Sequence, residues 1–343
     1  MKSSFLFLMI ICCSIAAKAQ SDKQPYLVKS LTGEYINSAK INASGGSISV
    51  MGANESEARL EVFVTANNNE NLSKDELKER LDEYYTMDIS VDNNKLIASV
   101  KQKNRINMNW KKSVNVSFKA YLPVNVTTDL ETSGGSISLS NLNGEQTFTT
   151  SGGSISVDNV KGKMKGRGSG GSIHINNSSN DIDLVTSGGS IDAKECTGNM
   201  RLKTSGGSLT LNNLNGTIDA ETSGGSIDAD NIKGDLTTGT SGGSIKLSNL
   251  YCSVEAETSG GGIEAFIKDA TKSVNLRNSG GGISLQLPSG KGFDLDLAAN
   301  KINMEMKNFS GSVDEKSIEG KLNGGGTLVK VRSAGGKINV SFD

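Results

Sequence analysis

The chain's 343 residues carry 36 Lys and Arg against 37 Asp and Glu, with no basic or acidic block, which argues against nucleic acid as a partner. Apolar residues make up 35% and aromatics 5%, while there are 41 glycines; a disordered chain can share that composition, but these glycines fall at fixed intervals, and regular spacing implies a repeat fold. Beyond the N-terminus no stretch approaches the roughly 18 apolar residues of a transmembrane helix, so no spanning segment is expected in the mature chain.

The first residues, MKSSFLFLMIICCSIAAKAQ, combine Lys2, an apolar run from Phe5 to Cys13 and the small-x-small site Ala17-Lys18-Ala19. Residues 1–19 are therefore expected to be a secretory signal peptide cleaved between Ala19 and Gln20, and the mature protein to be exported to the periplasm, the cell surface or the medium. Cleavage removes Lys2 and Lys18 and leaves 34 basic residues against 37 acidic, a net charge of −3. Bulky Met9, Ile10 and Ile11 argue against lipid attachment at Cys12 or Cys13. Only Cys196 and Cys252 remain after cleavage. If repeats stack about 4.8 Å apart, the two lie about 14 Å from each other, beyond the roughly 7 Å limit for a disulfide, and both are expected to be free and buried.

Residues 20–130 show strand patterns without a fixed period. Leu60-Glu61-Val62-Phe63-Val64 alternates, Asp92-Asn93-Asn94-Lys95 suits a hairpin, and Val114 to Ala120 alternates again before Pro123. One helix is expected over about 73–85: Ser73 and Glu76 form a capping box, Leu72 and Leu77 a hydrophobic staple, and Leu77, Leu81 and Tyr84 share a face. This segment is expected to cap a stack, because an open sheet edge recruits other chains. Trp110, the single tryptophan, is expected to pack there and is the first place to look for a ligand contact.

Over residues 131–290 the motif Ser-Gly-Gly-Ser-Ile or a close variant begins at Ser133, Ser151, Ser169, Ser187, Ser205, Ser223, Ser241 and Ser259, each 18 residues after the last, and then at Ser279. Earlier and later copies occur at Ser44 and, as Ala-Gly-Gly-Lys-Ile, at Ala334. Counting the first serine as place zero, apolar residues recur at places four and six (Ile155/Val157, Ile191/Ala193, Leu209/Leu211) and at thirteen and fifteen (Ile182/Leu184, Met200/Leu202, Ile218/Ala220). Each repeat thus holds two short half-buried strands. Between them comes a turn with asparagine at place eight: Asn141, Asn159, Asn177, Asn213, Asn231 and Asn249, with Glu195 the exception. Eighteen residues cannot bury a core alone, so like strands must pair in parallel with neighbouring repeats. The expected fold is all-β, a single-stranded right-handed parallel β-helix (β-solenoid) with 18-residue coils, right-handed because parallel crossovers are. The paired glycines (Gly134/Gly135, Gly152/Gly153, Gly188/Gly189, Gly206/Gly207, Gly224/Gly225, Gly242/Gly243) suit corners needing positive φ and close approach of neighbours. Threonine before each pair suits a β-branched ladder, and the asparagines a ladder of side-chain amides. Residues 291–343 lose the period, and are expected to form irregular final coils.

The repeated Glu131-Thr132-Ser133-Gly134-Gly135-Ser136-Ile137 unit and the approach segment Tyr121-Leu122-Pro123-Val124 resemble the bacterial putative-adhesin family of β-strand-repeat proteins, adhesin-like domains of unknown function. The resemblance covers about residues 36–343 and implies a β-solenoid with an adhesin-like role and no catalytic residues to carry over.

The competing reading is a β-helix polysaccharide lyase or hydrolase, which needs carboxylates facing one another on adjacent coils. Place five, on the outward face, runs Ser138, Ser156, His174, Asp192, Thr210, Asp228, Lys246, Glu264. Asp192 and Asp228 stand two coils apart, about 10 Å, just past the roughly 6.5–9.5 Å of inverting carboxylate pairs. His174 is the only histidine and is expected between Arg167 and Asp192 on neighbouring coils. A lone histidine without Cys-x-x-Cys disfavours zinc, the repeat lacks the nine-residue beat of calcium rolls, and Gly-Gly with no following lysine is not a phosphate loop, so no cofactor or metal is expected. Aromatic platforms for sugar are few: Phe148 inward, Tyr251 in a turn, Phe266 outward. The expected function is a non-enzymatic adhesin-like or structural scaffold of the cell envelope, whose partner is an envelope or extracellular protein or glycan, or a second copy of the chain.

Overall fold

Strands of four residues on an 18-residue beat can satisfy their backbone only by pairing with the strands before and after them in the array. The computed structural model, which describes residues 24–67, 72–103 and 112–343, has that arrangement. Ala19, Gln20 and Trp110 lie outside the described residues. Among those described, the chain is all-β, with 27 strands, one α-helix at Lys74–Tyr84 and one 3-10 turn at Glu55–Glu57. Pairing through the repeats is parallel and in register: Leu209 faces Ile227, Ile227 faces Ile245, and the match continues through the turn to Thr222 opposite Thr240 and Thr240 opposite Thr258. The two residues that lengthen the eighth step, from Ser259 to Ser279, are taken up between Asp269 and Val274, where partner spacing changes from Tyr251 opposite Asp269 to Val254 opposite Val274.

The inward places stack into columns that form one core. Ile137, Ile155, Ile173, Ile191, Leu209, Ile227, Ile245, Ile263, Ile283 and Ile338 are all buried, as are the turn residues Leu142, Val160, Cys196, Leu214, Ile232 and Leu250. Volume is balanced between layers: a Cβ on Gly166 would lie 2.2 Å from the Phe148 ring, so the ring occupies the room that Gly166 leaves empty. Two polar groups enter this core near its N-terminal end, where Thr128 Oγ1 donates to Gln146 Oε1 (2.5 Å) and Gln146 Nε2 donates to the Val126 carbonyl (2.8 Å).

The corner glycines work differently from the expectation. Positive φ is absent from Gly134, Gly135, Gly152, Gly153, Gly188, Gly189, Gly206, Gly207, Gly224, Gly225, Gly242 and Gly243 alike. The left-handed conformation falls instead on the place-eight residues, Asn141, Asn159, Asn177, Glu195, Asn213, Asn231 and Asn249, with φ from 47° to 57°, and on Gly144, Gly162, Gly198, Gly216 and Gly234 three places later. Asparagine is the non-glycine residue that tolerates this region best, which explains its recurrence. What demands glycine at the corner is proximity. A Cβ on Gly153, Gly189, Gly207, Gly225 or Gly243 would stand 2.0 to 2.2 Å from the carbonyl oxygen of the equivalent glycine in the preceding repeat. Gly135 meets the Gly46 carbonyl in the same way, at 2.1 Å. The first glycines, Gly134, Gly152, Gly188, Gly206, Gly224 and Gly242, would meet nothing closer than 3.3 Å, so the space argument applies to one member of each pair.

Both ends depart from simple succession. At the N-terminal end Ser38–Ala43 and Ile48–Ala53 are inserted between a later layer (Lys95–Gln102 and Val114–Pro123) and the first regular repeat (Thr127–Thr132 and Ile137–Asn143). Antiparallel strands then close the sheets: Tyr85–Asp92 on Lys95–Gln102 through a tight turn with Asn93 and Asn94 at positive φ, and Arg59–Ala66 on Val114–Pro123. The helix rests on this end with Leu81 buried, and its start has the reciprocal capping box of Ser73 and Glu76. At the other end a simple run of final coils through 291–343 does not form. The last strands, Thr327–Ser333 and Lys337–Phe342, pair directly with Ser273–Asn278 and Ile283–Leu287, and Phe293–Ala298 and Lys301–Met304 lie outside them. Ser317–Leu322 and Phe309–Val313 add two antiparallel strands beyond Phe293–Ala298.

Two substitutions separate proximity from conformational freedom. Gly207→Ala is expected to cost about 1–3 kcal/mol or more through overpacking against Gly189, while Gly206→Ala is expected to leave the thermal midpoint nearly unchanged. Equal midpoints for the two variants in a melting experiment would contradict this account of the corner.

Candidate functional surface

The outward side chains are carried by corners held together from inside. Thr204 Oγ1 donates to the Gly189 carbonyl of the preceding repeat (2.7 Å) and accepts the Gly207 amide of its own turn (3.3 Å). Thr132, Thr150, Thr222 and Thr240 repeat both bonds, the last of them accepting the Gly243 amide, and Thr186 and Thr258 make the first. At the C-terminal end, where threonine is replaced, the replacement keeps the chemistry: the Asn278 side chain donates to Gly261 and accepts from Gly280 and Gly281, and Ser333 bridges Gly281 and Gly336, whereas Gly168, between Thr150 and Thr186, leaves one gap in the column. The threonine column is thus a row of polar clamps, which its β-branched shape alone did not reveal. On the outer side of the same corner the hydroxyls of Ser172, Ser190, Ser208 and Ser226 each accept the amide of the serine one repeat on (3.1 to 3.2 Å).

The asparagines expected to form a continuous ladder form pairs. Asn159 Nδ2 donates to Asn141 Oδ1 (2.8 Å), Asn231 to Asn213 (2.7 Å), and Asn249 turns to Asp230 (2.8 Å). Glu195 stands between Asn177 and Asn213 in the same column.

One outward face carries layers of alternating charge. Lys163, Lys165 and Arg167 lie opposite Asp181, Asp183 and Val185; next come Asn199, Arg201 and Lys203, then Thr217, Asp219 and Glu221. Asp183 sits between two guanidiniums, 2.5 Å from Arg167 and 3.0 Å from Arg201, and Lys203 bridges Glu221 (2.6 Å) and Asp219 (3.0 Å). Partial burial by itself would raise the pKa of Asp183, but the hydrogen bonds and charges of Arg167 and Arg201 outweigh it and hold the carboxyl below the usual aspartate range. A shallow groove of about 450 Å³ follows the corner from Val185 to Ser259, with Lys203, Glu221 and Glu257 along it.

On the other face the place-five column aligns as the spacing requires, His174 opposite Asp192, Thr210 between Asp192 and Asp228, and Lys246 opposite Glu264. His174, 60% exposed, has Nδ1 3.9 Å from Asp192 Oδ2, which also lies 3.3 Å from Lys194 Nζ. Arg167, expected beside His174, points to the opposite face and binds Asp183. Cys196 and Cys252 are free and buried. Burial raises both thiol pKa values, that of Cys252 to about 12 with Asp235 adding to it, so both are protonated at neutral pH and unsuited to nucleophilic attack. Phe148 is buried in the core, and Tyr251 is exposed beside Lys233. Among the described residues no group of three or more His, Cys, Asp or Glu is arranged to hold a metal ion, and no helix is long and apolar enough to cross a membrane.

No protein-family model matches the chain, and no curated protein does. Among solved structures, a protein of Clostridium sporogenes described as a "putative cell adhesion protein" is 12% identical over 92% of this chain and 98% of its own, with a TM-score of 0.22, a value that supports no inference from one to the other.

Two measurements test this surface. Thr204→Val leaves the buried Gly189 carbonyl and the half-buried Gly207 amide without this partner and is expected to cost about 1–3 kcal/mol in denaturant unfolding; a cost as small as that of an exposed threonine change would remove the clamp. Because the folded pKa of Asp183 lies below the roughly 3.9 of an exposed aspartate, its ion pairs stabilise fully above that value and lose their effect as pH falls toward the folded pKa. Asp183→Asn is therefore expected to lower the melting temperature at pH 7 and to narrow the gap to wild type as the pH falls below about 4.

Proposed function

We propose that the chain is an exported, right-handed parallel β-helix that serves as a non-enzymatic, adhesin-like or structural scaffold of the cell envelope. Parallel in-register pairing of eighteen-residue repeats supports the β-helix, and its hand follows from the right-handedness of about 98% of parallel crossovers. Export rests on the leader pattern of residues 1–19.

The observation that carries the functional reading is how the outward side chains are engaged. Serine hydroxyls bond along the stack, asparagine amides bond to one another, and Asp183, Lys203 and Asp235 are tied into ion pairs across layers. Side chains committed in this way make rigid, mixed-polarity faces whose shape is set by the stack. Such faces suit multivalent contact over length, in which many weak contacts add. Catalysis asks for the opposite, groups of separated pKa converging on one substrate atom.

The mature protein is expected to be retained on intact envelope fractions or on immobilised glycans without releasing reducing or unsaturated sugar. Sugar release in the same assay, abolished by Asp192→Asn or Asp228→Asn, would replace the scaffold reading with an enzyme.

A further inference from the structure

Outside the regular faces, a groove of about 450 Å³ opens near the N-terminal end, where segments 33–36, 53–55 and 123–125 meet. Three local features build it. The Glu34 amide donates to the Leu31 carbonyl (3.1 Å) across a turn with Gly33 at φ +85°, which sets Tyr35 on the rim. Asn54 starts the Glu55–Glu57 turn without spending its side chain on a capping bond. Asn125 Oδ1 accepts from Asn143 Nδ2 (2.8 Å), which leaves its NH₂ end to donate.

Tyr35 is 69% exposed and Val124 46% exposed, and both line this groove. A tyrosine ring exposed beside an aliphatic side chain offers an apolar face with a polar tip, the kind of surface an amphipathic ligand can cover. Around it stand the carboxylates of Glu34 and Glu55 and the amides of Asn54 and Asn125, and no lysine or arginine contributes to the lining. Two carboxylates without a cation repel phosphate, sulfate or nucleic acid. A polyproline ligand wants a groove lined by several aromatic side chains, and here there is one. An aromatic face flanked by acceptors and donors matches a pyranose ring, which is apolar on its C–H face and hydroxylated at its edge.

We propose that this groove binds a neutral saccharide, with Tyr35 stacked on the sugar ring, Glu34 and Glu55 accepting from its hydroxyls, and Asn54 and Asn125 donating to them. The proposal takes the source of the saccharide from the envelope-adhesion reading, while the groove's binding is tested separately from it.

Calorimetric titration of the full mature chain with cellohexaose, chitohexaose and maltohexaose provides the test. At least one is expected to bind; Tyr35→Ala weakens it about tenfold or more, Tyr35→Phe by no more than about threefold, and both leave the melting temperature unchanged. Absence of binding by all three sugars, or equal affinity of wild type and Tyr35→Ala, would overturn the assignment. Envelope retention that persists together with unchanged sugar affinity in Tyr35→Ala would overturn the groove and leave the adhesion reading standing; loss of that retention in Tyr35→Ala together with its sugar affinity would support both.

Discussion

The contact on which the rest depends is between backbones, at the second glycine of each corner. Its Cα lies so close to the carbonyl of the equivalent glycine one repeat earlier that even a methyl group has no room. Successive layers can approach to hydrogen-bonding distance on both strands only because the corner between them is equally thin. The threonine clamp uses the same closeness: a hydroxyl placed one residue before the corner reaches the preceding layer's carbonyl and its own turn's amide together. Groups that a tight bend would otherwise leave unpaired are thereby satisfied.

A stack of similar repeats faces the problem of choosing its own neighbours, since a slip of 18 residues would set most inward apolar residues against apolar residues again. Outward charge supplies part of the discrimination. The basic layer at Lys163 to Arg167 meets the acidic one at Asp181 and Asp183, which meets Arg201 and Lys203, and these meet Asp219 and Glu221. Skipping one layer would set like charges against each other at the same height, a penalty that apolar columns cannot impose. The volume match of Phe148 with Gly166 gives the interior a comparable marker.

The ends resolve a separate constraint. A parallel stack ends in exposed strand edges, and here each end inserts one layer out of chain order and then turns to antiparallel pairing. Because the final strands at Lys337–Phe342 lie between Ile283–Leu287 and Lys301–Met304, the C-terminal layer is held from both sides. At the N-terminal end the same device creates the junction of segments 33–36, 53–55 and 123–125, the place where the surface departs from flat, regular faces.

The period, the inward columns, the capping box at Ser73 and the two free cysteines are legible in the sequence, because each follows from local spacing or from a rise per layer that all parallel sheets share. The paired glycines, from Gly134/Gly135 to Gly242/Gly243, are legible as corners, but their reason is not. Positive φ is a property of one residue and is what glycine suggests when read alone, whereas the close approach that requires it exists only between layers. The left-handed positions are the place-eight residues, six asparagines and Glu195, and the glycines three places after five of them. Threonine's clamp, the Arg167–Asp183–Arg201 cluster and the groove at Tyr35 likewise join residues 15 to about 90 positions apart. The out-of-order layers at both ends have no periodic signal, since pairing offsets of 55, 57, 70 and 89 residues answer to the closing of an open edge. Sequence alone determined the repeating unit and what it buries; tertiary structure decided how the stack starts and stops, because only the assembled sheets have edges to close.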